Sequence, residues 1–377
     1  MVEAYLDNNA TTPLLPAVLA AVVAALEKDF GNASSKHRLG RASRRLVEEA
    51  RSVIASSVGA EHASEIIFTS SATEAIFQAF ASASKQVKRL LVGSADHSAV
   101  HAAAAAVRAR DGRSLLKVPL LSTGIIDPTA LDTELSDGEA LLSVTLVNNE
   151  TGVIEDIHTV AGLCNQRGAL LHVDAAQAFR KVPVDVRQIG CDYLTLSPHK
   201  FHGPKGVGVL YARKGAPCSP LFAGHQEFGL RAGTENVAAV VGAGAAATAT
   251  SDWGDHQARI TVLRDRLENA IVGAVPGAIV NGAQARRVAN TTNISFPNRN
   301  AAELVSALSR RGVYVSAASA CSTGDSPSHV LLAMGLGDER ANASVRYSLS
   351  RLTLEKEVDH AIEQTLAVYA VSHSLRG

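Results

Sequence analysis

The sequence predicts an α/β protein, in which a mostly parallel central sheet covered by helices is followed by a smaller α+β domain. Two observations carry this. From Ile66 to Leu196, short apolar strand candidates alternate with helical periodicities, the pattern of a sheet with helices on both faces. After Trp253 the alternation gives way to one long helix, short strands and further helices. The change divides the chain into a large domain over 14–255 and a small one over 256–377. At 377 residues and 46% hydrophobic content, the chain has apolar surface for two packed cores.

In chain order, Leu15, Val18, Leu19, Val22 and Leu26 recur at helical spacing and predict a helix over 14–28. Ile66-Ile67-Phe68 reads as a buried strand running into Ser71-Ala72-Thr73-Glu74 and a helix to about 84. Leu90-Leu91-Val92 is a second strand, with a helix from about His97 to Arg110. The apolar run 141–147 is a third. Ile157, Val160, Ala161 and Cys164 mark one helix face, which Gly168 ends. The strands over 169–173 and 193–196 stop at Asp174 and Ser197. Beyond Trp253, helices are expected over 258–274, near 301–311 and from 355 onward, with a strand over 292–296 and another through Arg346.

Charge is balanced, 36 basic against 36 acidic residues, so nothing recruits nucleic acid or an acidic membrane surface. The run Arg38, Arg41, Arg44, Arg45 reads as a solvated helix face. Four scattered cysteines, at 164, 191, 218 and 321, form no C-x-x-C pair, so free thiols in a reducing cytosol are expected. No signal peptide, membrane span or internal repeat is read, and a cytoplasmic location is expected.

In parallel sheets ligands bind at the carboxyl ends of the strands, and the candidate chemical residues fall there. Lys200 follows a strand end in Ser197-Pro198-His199-Lys200, where Ser197 and His199 can donate to a phosphate. Taken alone, a turn lysine is more often a surface residue. Asp174, at the end of a buried strand, needs a partner such as a pyridinium nitrogen. Gln177 follows three residues later and could bond a ring hydroxyl; a helix-capping acid would explain Asp174 alone. The backbone N–H groups around Ala72 and the Thr73 hydroxyl form a phosphate cradle at a helix N-terminus. His97 can stack on a ring and move protons. His97 and His101 are four apart, but the H-E-x-x-H glutamate is missing, so no metal is expected. Cys321 sits among small polar residues, which suggests an exposed and usable thiol. Arg346 offers the planar fork that matches a carboxylate.

Together these segments resemble the NifS-type cysteine desulfurases of the class-V aminotransferase group, fold-type I pyridoxal-phosphate enzymes. The likeness opens with Tyr5-Leu6-Asp7-Asn8-Asn9-Ala10-Thr11-Thr12-Pro13. It runs through Ser71–Glu74, His97, Asn148-Asn149-Glu150-Thr151-Gly152, Asp174–Gln177, Ser197–Lys200 and Arg231-Ala232-Gly233-Thr234-Glu235-Asn236, and closes on Ala320-Cys321 and Arg346. The sequence departs from the common pattern at Ser71 (glycine), Asp96 (glutamate), His202 (tyrosine) and Ala318 (glycine).

The resemblance implies that Lys200 holds pyridoxal 5'-phosphate as a Schiff base and serves as the base at Cα. It puts Asp174 on the pyridine nitrogen, Gln177 on the ring oxygen and His97 on the ring face. Ala72, Thr73, Ser197 and His199 would hold the phosphate. Thr234 would reach the phosphate site of a second subunit in a homodimer. Asn149 and Arg346 would bind the carboxylate of L-cysteine, and Cys321 would take the sulfur as a persulfide, releasing alanine. A sulfur-acceptor protein is then the expected partner, in iron–sulfur cluster assembly or another sulfur-using pathway. Residues 1–13 would pack with the small domain. The alternatives are selenocysteine lyase or another class-V enzyme, and a non-enzymatic cofactor-binding scaffold in a sulfur-transfer complex; Cys321 argues against a plain transaminase.

Overall fold

The structure is a computed structural model that describes residues 2–136, 138–317 and 327–374, with the side chains of 371–374 left aside. Cys321 and Ala318 therefore lie outside the described residues.

Seven strands form the central sheet. Their spatial order is Ile66–Thr69, Gly208–Ala212, Tyr193–Leu196, Leu170–Asp174, Ala140–Thr145, Arg89–Gly93 and Ser114–Val118. All neighbours are parallel except at Gly208–Ala212, which runs antiparallel to both strands beside it. Two of these strands escape sequence reading. Ser114–Val118 is a half-exposed edge strand with Lys117 in it, so its apolar run is short. Gly208–Ala212 follows a glycine-rich turn that masks its start. Its opening glycine is required by close approach: a Cβ on Gly208 would come within 2.2 Å of the Ser71 backbone. The turn at the head of the helix Ala72–Ala83 thus lies directly against this strand.

Helices flank the sheet on both sides, each side with its own apolar layer. Val47, Ile54, Leu142, Val173 and Leu194 belong to one, Ile76, Phe80, Leu90, Leu141 and Leu210 to the other. One polar group crosses the middle of the sheet. His172 bonds Ser143 Oγ through Nδ1 (2.8 Å) and Thr195 Oγ1 through Nε2 (2.9 Å), so both ring nitrogens are satisfied. Burial holds its pKa down to about 3.

Arg38, Arg41, Arg44 and Arg45 begin the long helix Arg38–Val58. Arg44 and Arg45 pair with Glu48 and Glu49 one turn on, as a solvated face does.

A second sheet of four strands, in the order Ser316–Ala317, Ser344–Ser348, Thr291–Ser295 and Ile279–Val280, is antiparallel throughout. Helices Trp253–Ala274 and Glu355–Ser374 cover it, and Ile260, Leu267, Phe296, Val345 and Tyr347 form a separate core. Ala4 and Leu6 belong to this core, and Ala4–Tyr5 pairs with Val313–Tyr314. The helix Trp253–Ala274 runs unbroken across the 255/256 boundary read from the sequence. No helix among the described residues is long and apolar enough to cross a membrane.

Candidate active site

Strand register brings the carboxyl ends of the central sheet level. Thr145 is opposite Asp174, and Asp174 is opposite Thr195. The turns that leave these ends open onto a cleft of about 590 Å³. Ala72, Thr73, His97, Asn149, Asp174, Gln177, Ser197, His199, Lys200 and Arg346 all line it. Thr234 does not. It is exposed, in a hollow that shares the wall Ser70, Gly206 and Val207 with the cleft. Cys321 lies outside the described residues.

Each side chain reaches the cleft for a local reason. Lys200 ends a single 3₁₀ turn, Pro198–Lys200, in which proline supplies the first residue and Lys200 N–H closes on Ser197 O. The N-terminal segment clamps this turn: Thr12 Oγ1 donates to His199 O (2.9 Å) and accepts from His202 N (2.7 Å). His202 holds a positive φ of 68° and its Nδ1 bonds Pro13 O, so the imidazole standing where tyrosine is common serves the same clamp. Lys200 Nζ donates to Asn9 O (2.5 Å) and Ala10 O (2.8 Å).

Ser71 caps the helix Ala72–Ala83 by accepting from Glu74 N–H. The N–H groups of Ala72 and Thr73 have no partner within the helix, as at any helix start, and they border the cleft. His97 caps the helix Ser98–Asp111, its Nδ1 accepting from Ala99 N–H (3.1 Å). An Nδ1 that accepts carries no proton, so the neutral ring bears its proton on Nε2. Burial holds the His97 pKa below the ordinary imidazole value, opposed by Asp174 and assisted by Lys200 and His329.

Asp174 is 5% exposed, and one of its oxygens accepts from Ala176 N–H. Burial pushes its carboxyl up, while His97 and Lys200 pull it down. A buried carboxyl of this kind lacks a cation at full strength, and a pyridinium N–H is one. His199 Nδ1 bonds Thr11 Oγ1 (3.2 Å), and burial with Lys200 and Lys205 nearby lowers its pKa to about 4. Arg346 Nη2 pairs with Asp7 Oδ1 (2.7 Å) and Nη1 donates to Asn149 O (3.1 Å), while its buried Nε has no partner. A helix start with N–H groups bordering the cleft, a buried acid, an imidazole, a lysine and a guanidinium are the set that pyridoxal phosphate and an amino acid need, so these residues fit the expected cofactor.

Sequence reasoning missed four residues of this site. Asp7 and Asn9 sit in the N-terminal motif, where they carry no local signal of their own. Asp96 is buried beside His97, accepting from Gly93 and Thr145 N–H groups, and burial pushes its carboxyl up to about 8. Lys181 follows Gln177 by four residues in a run of turns. Gln177 itself is already engaged: Nε2 donates to Asn9 O (2.7 Å) and Oε1 accepts from Lys181 Nζ (2.6 Å).

Known proteins share both the sequence pattern and the fold. The Aminotransferase class-V family model matches residues 4–360. A cysteine desulfurase of Cereibacter sphaeroides is 42% identical over 96% of this chain and 95% of that protein. The cysteine desulfurase NifS of Azotobacter vinelandii is 39% identical over 98% of this chain and 93% of that protein. A solved NifS-like protein superposes with a TM-score of 0.91 at 32% identity, covering 98% of this chain and all of the other. The chain belongs to the class-V aminotransferase family, within its NifS-type cysteine desulfurases, pyridoxal-phosphate-dependent enzymes of fold type I.

Proposed function

We propose that this enzyme is a pyridoxal-phosphate-dependent cysteine desulfurase that converts L-cysteine to L-alanine and passes the sulfur to Cys321 for delivery to an acceptor protein. The observation that carries the reading is the convergence of Lys200, Asp174 and His97 on one cleft with the open helix start at Ala72 and Thr73. Lys200 would hold the cofactor covalently, Asp174 its pyridine nitrogen, Gln177 its ring oxygen, His97 its ring face, and Ala72, Thr73, Ser197 and His199 its phosphate. When bound, the cofactor supplies an electron sink for the carbanion formed at Cα.

The chain's own residues do the rest. The Arg346 guanidinium and the Asn149 side chain take the substrate carboxylate. Lys200 Nζ would remove the Cα proton and hold it for return. His97 Nε2, on a ring kept neutral by burial, exchanges the proton of the substrate thiol. The Cys321 thiolate attacks the substrate sulfur: the new S–S bond forms as the Cβ–S bond breaks, and protonation completes alanine.

The same proposal includes a homodimer in which Thr234 reaches the neighbouring subunit's phosphate site. Its exposure outside its own cleft supports this. A cytoplasmic enzyme supplying iron–sulfur cluster assembly completes the reading, with a large domain over 14–255 and a small one over 256–377 joined by residues 1–13. The pairing of Ala4–Tyr5 with Val313–Tyr314 supports that last assignment. The test is alanine and sulfide release from L-cysteine under a reducing thiol. The wild type should give both in equal amounts, and Cys321→Ala should keep the bound cofactor's colour while losing sulfur transfer. Undiminished desulfuration by Cys321→Ala would remove the persulfide from the proposal.

A further inference from the structure

We infer that Lys181 is a positioning residue for the cofactor site, fixing the Gln177 side-chain amide so that its N–H₂ end is presented to the cofactor ring oxygen. The inference rests on the proposed bond between Gln177 and that oxygen, and adds the group that decides which end of the amide makes it.

A glutamine amide has a donor end and an acceptor end of nearly equal size, so its neighbours must choose between the two orientations. Burial, with Lys200 and Arg346 nearby, lowers the Lys181 pKa to about 7, but against a carbonyl oxygen its Nζ can only donate, charged or neutral. Lys181 Nζ donates to Gln177 Oε1 (2.6 Å) and to Asn9 Oδ1 (3.1 Å), and so draws the oxygen ends of both amides towards itself. Their nitrogen ends must then point away. Gln177 Nε2 donates one hydrogen to Asn9 O (2.7 Å), the carbonyl that also accepts from Lys200 Nζ, which leaves its second hydrogen for a ring oxygen in the cleft that Gln177 lines. Asn9 Nδ2 likewise donates to Asn149 O (3.0 Å) and Thr291 Oγ1 (2.9 Å).

The same group therefore orients a cofactor-side amide and the amide that ties the N-terminal segment to Asn149. Lys181 lines a neighbouring hollow with Thr250, Trp253 and Arg351, and not the cleft itself, so it acts through Gln177. Reversed, the amide would set its oxygen against the electron-rich ring oxygen, and the two would repel.

The test is a double-mutant cycle read from the visible spectrum of the holoenzyme, without substrate. A donor on the ring oxygen stabilises its deprotonated form and lowers the pH at which the bound cofactor's absorption band changes. Gln177→Ala should move that midpoint up by roughly half to one pH unit. Lys181→Met should move it up by a similar amount, and the double variant no further than Gln177→Ala alone. Lys181→Arg, which keeps a donor, should restore much of the wild-type midpoint. Additive shifts would mean that Lys181 acts only as a nearby charge, and would overturn the inference. A shift in Gln177→Ala with none in Lys181→Met would also overturn it while leaving the Gln177 bond standing. No shift in Gln177→Ala would remove that bond itself. If Lys181→Met does not accumulate as holoenzyme, a crystal structure of wild-type holoenzyme decides: Gln177 Nε2 should face the ring oxygen with Oε1 on Lys181 Nζ, and Oε1 facing the ring oxygen contradicts the inference.

Discussion

The carboxyl rim of the central sheet and the seam beside it are built in opposite ways. On the rim, each side chain is placed by its own strand end or helix start: Asp174 by register, His97 and Ser71 by capping, Lys200 by a single turn. At the seam, residues far apart in sequence hold one another. Asn9 alone bonds Ser348, Thr291, Asn290, Asn149, Gln177, Lys181 and Lys200. Removing one rim side chain should therefore have a local effect. Removing one at the seam should loosen both sheets and the cleft between them.

The largest effect expected from this contrast follows Asn9→Ala. It strips partners from several buried polar groups at once, and stability should fall on the order of 2–4 kcal/mol in denaturant titration. Cofactor affinity should weaken with it, because the Asn9 side chain anchors, on Asn149, Thr291 and Asn290, the segment whose backbone carbonyl accepts from Lys200 and Gln177. An effect on cofactor binding with stability unchanged would mean that the seam is not one network.

Next in size is Arg346→Lys. The guanidinium holds Asp7 and Asn149 O through two nitrogens of one plane, and an ammonium cannot keep both and still match a carboxylate. The KM for L-cysteine should rise about 10- to 100-fold, with a smaller change in kcat, in steady-state alanine assays.

A pH effect comes third. Glu150 is buried and bonded to Ser328 Oγ (2.5 Å), and burial pushes its carboxyl up to about 7. The native state then holds a proton that the unfolded chain releases from its ordinary value of 4.5 upward. Stability from this group is present in acid and is lost as pH rises from about 4.5 through 7, with a slope of at most about 1.4 kcal/mol per pH unit. Glu150→Gln should flatten that part of the stability profile; an unchanged profile would assign the slope to other groups, such as Asp96 and Glu155.

The smallest effect belongs to the rim. Ser71→Gly removes one cap and should cost only a few tenths of a kcal/mol in thermal unfolding, with cofactor affinity nearly unchanged. A large loss there would erase the distinction between rim and seam.

The same contrast explains what the sequence made legible. The rim motifs are contiguous, so Asp174–Gln177, Ser71–Glu74 and Ser197–Lys200 could be read one at a time. The alternation of strands and helices gave the parallel sheet, but not the antiparallel Gly208–Ala212 strand, whose short run sits behind a glycine turn. Lys181 and Asn9 had no local pattern to announce them. Their role exists only once Thr291, Asn290 and Ser348 are folded against the N-terminal segment, 281–339 residues away in sequence. Asp96 read as a variant of a familiar pair, and its burial between two backbone N–H donors shows only in the structure.

The central claim is that the rim holds the cofactor through Lys200. The most direct measurement is borohydride reduction of the yellow holoenzyme followed by peptide mass spectrometry. A phosphopyridoxyl mass increment is expected on the peptide carrying Lys200, absent in Lys200→Ala. The increment on a peptide carrying Lys181 or Lys205 instead, or its persistence in Lys200→Ala, would contradict it.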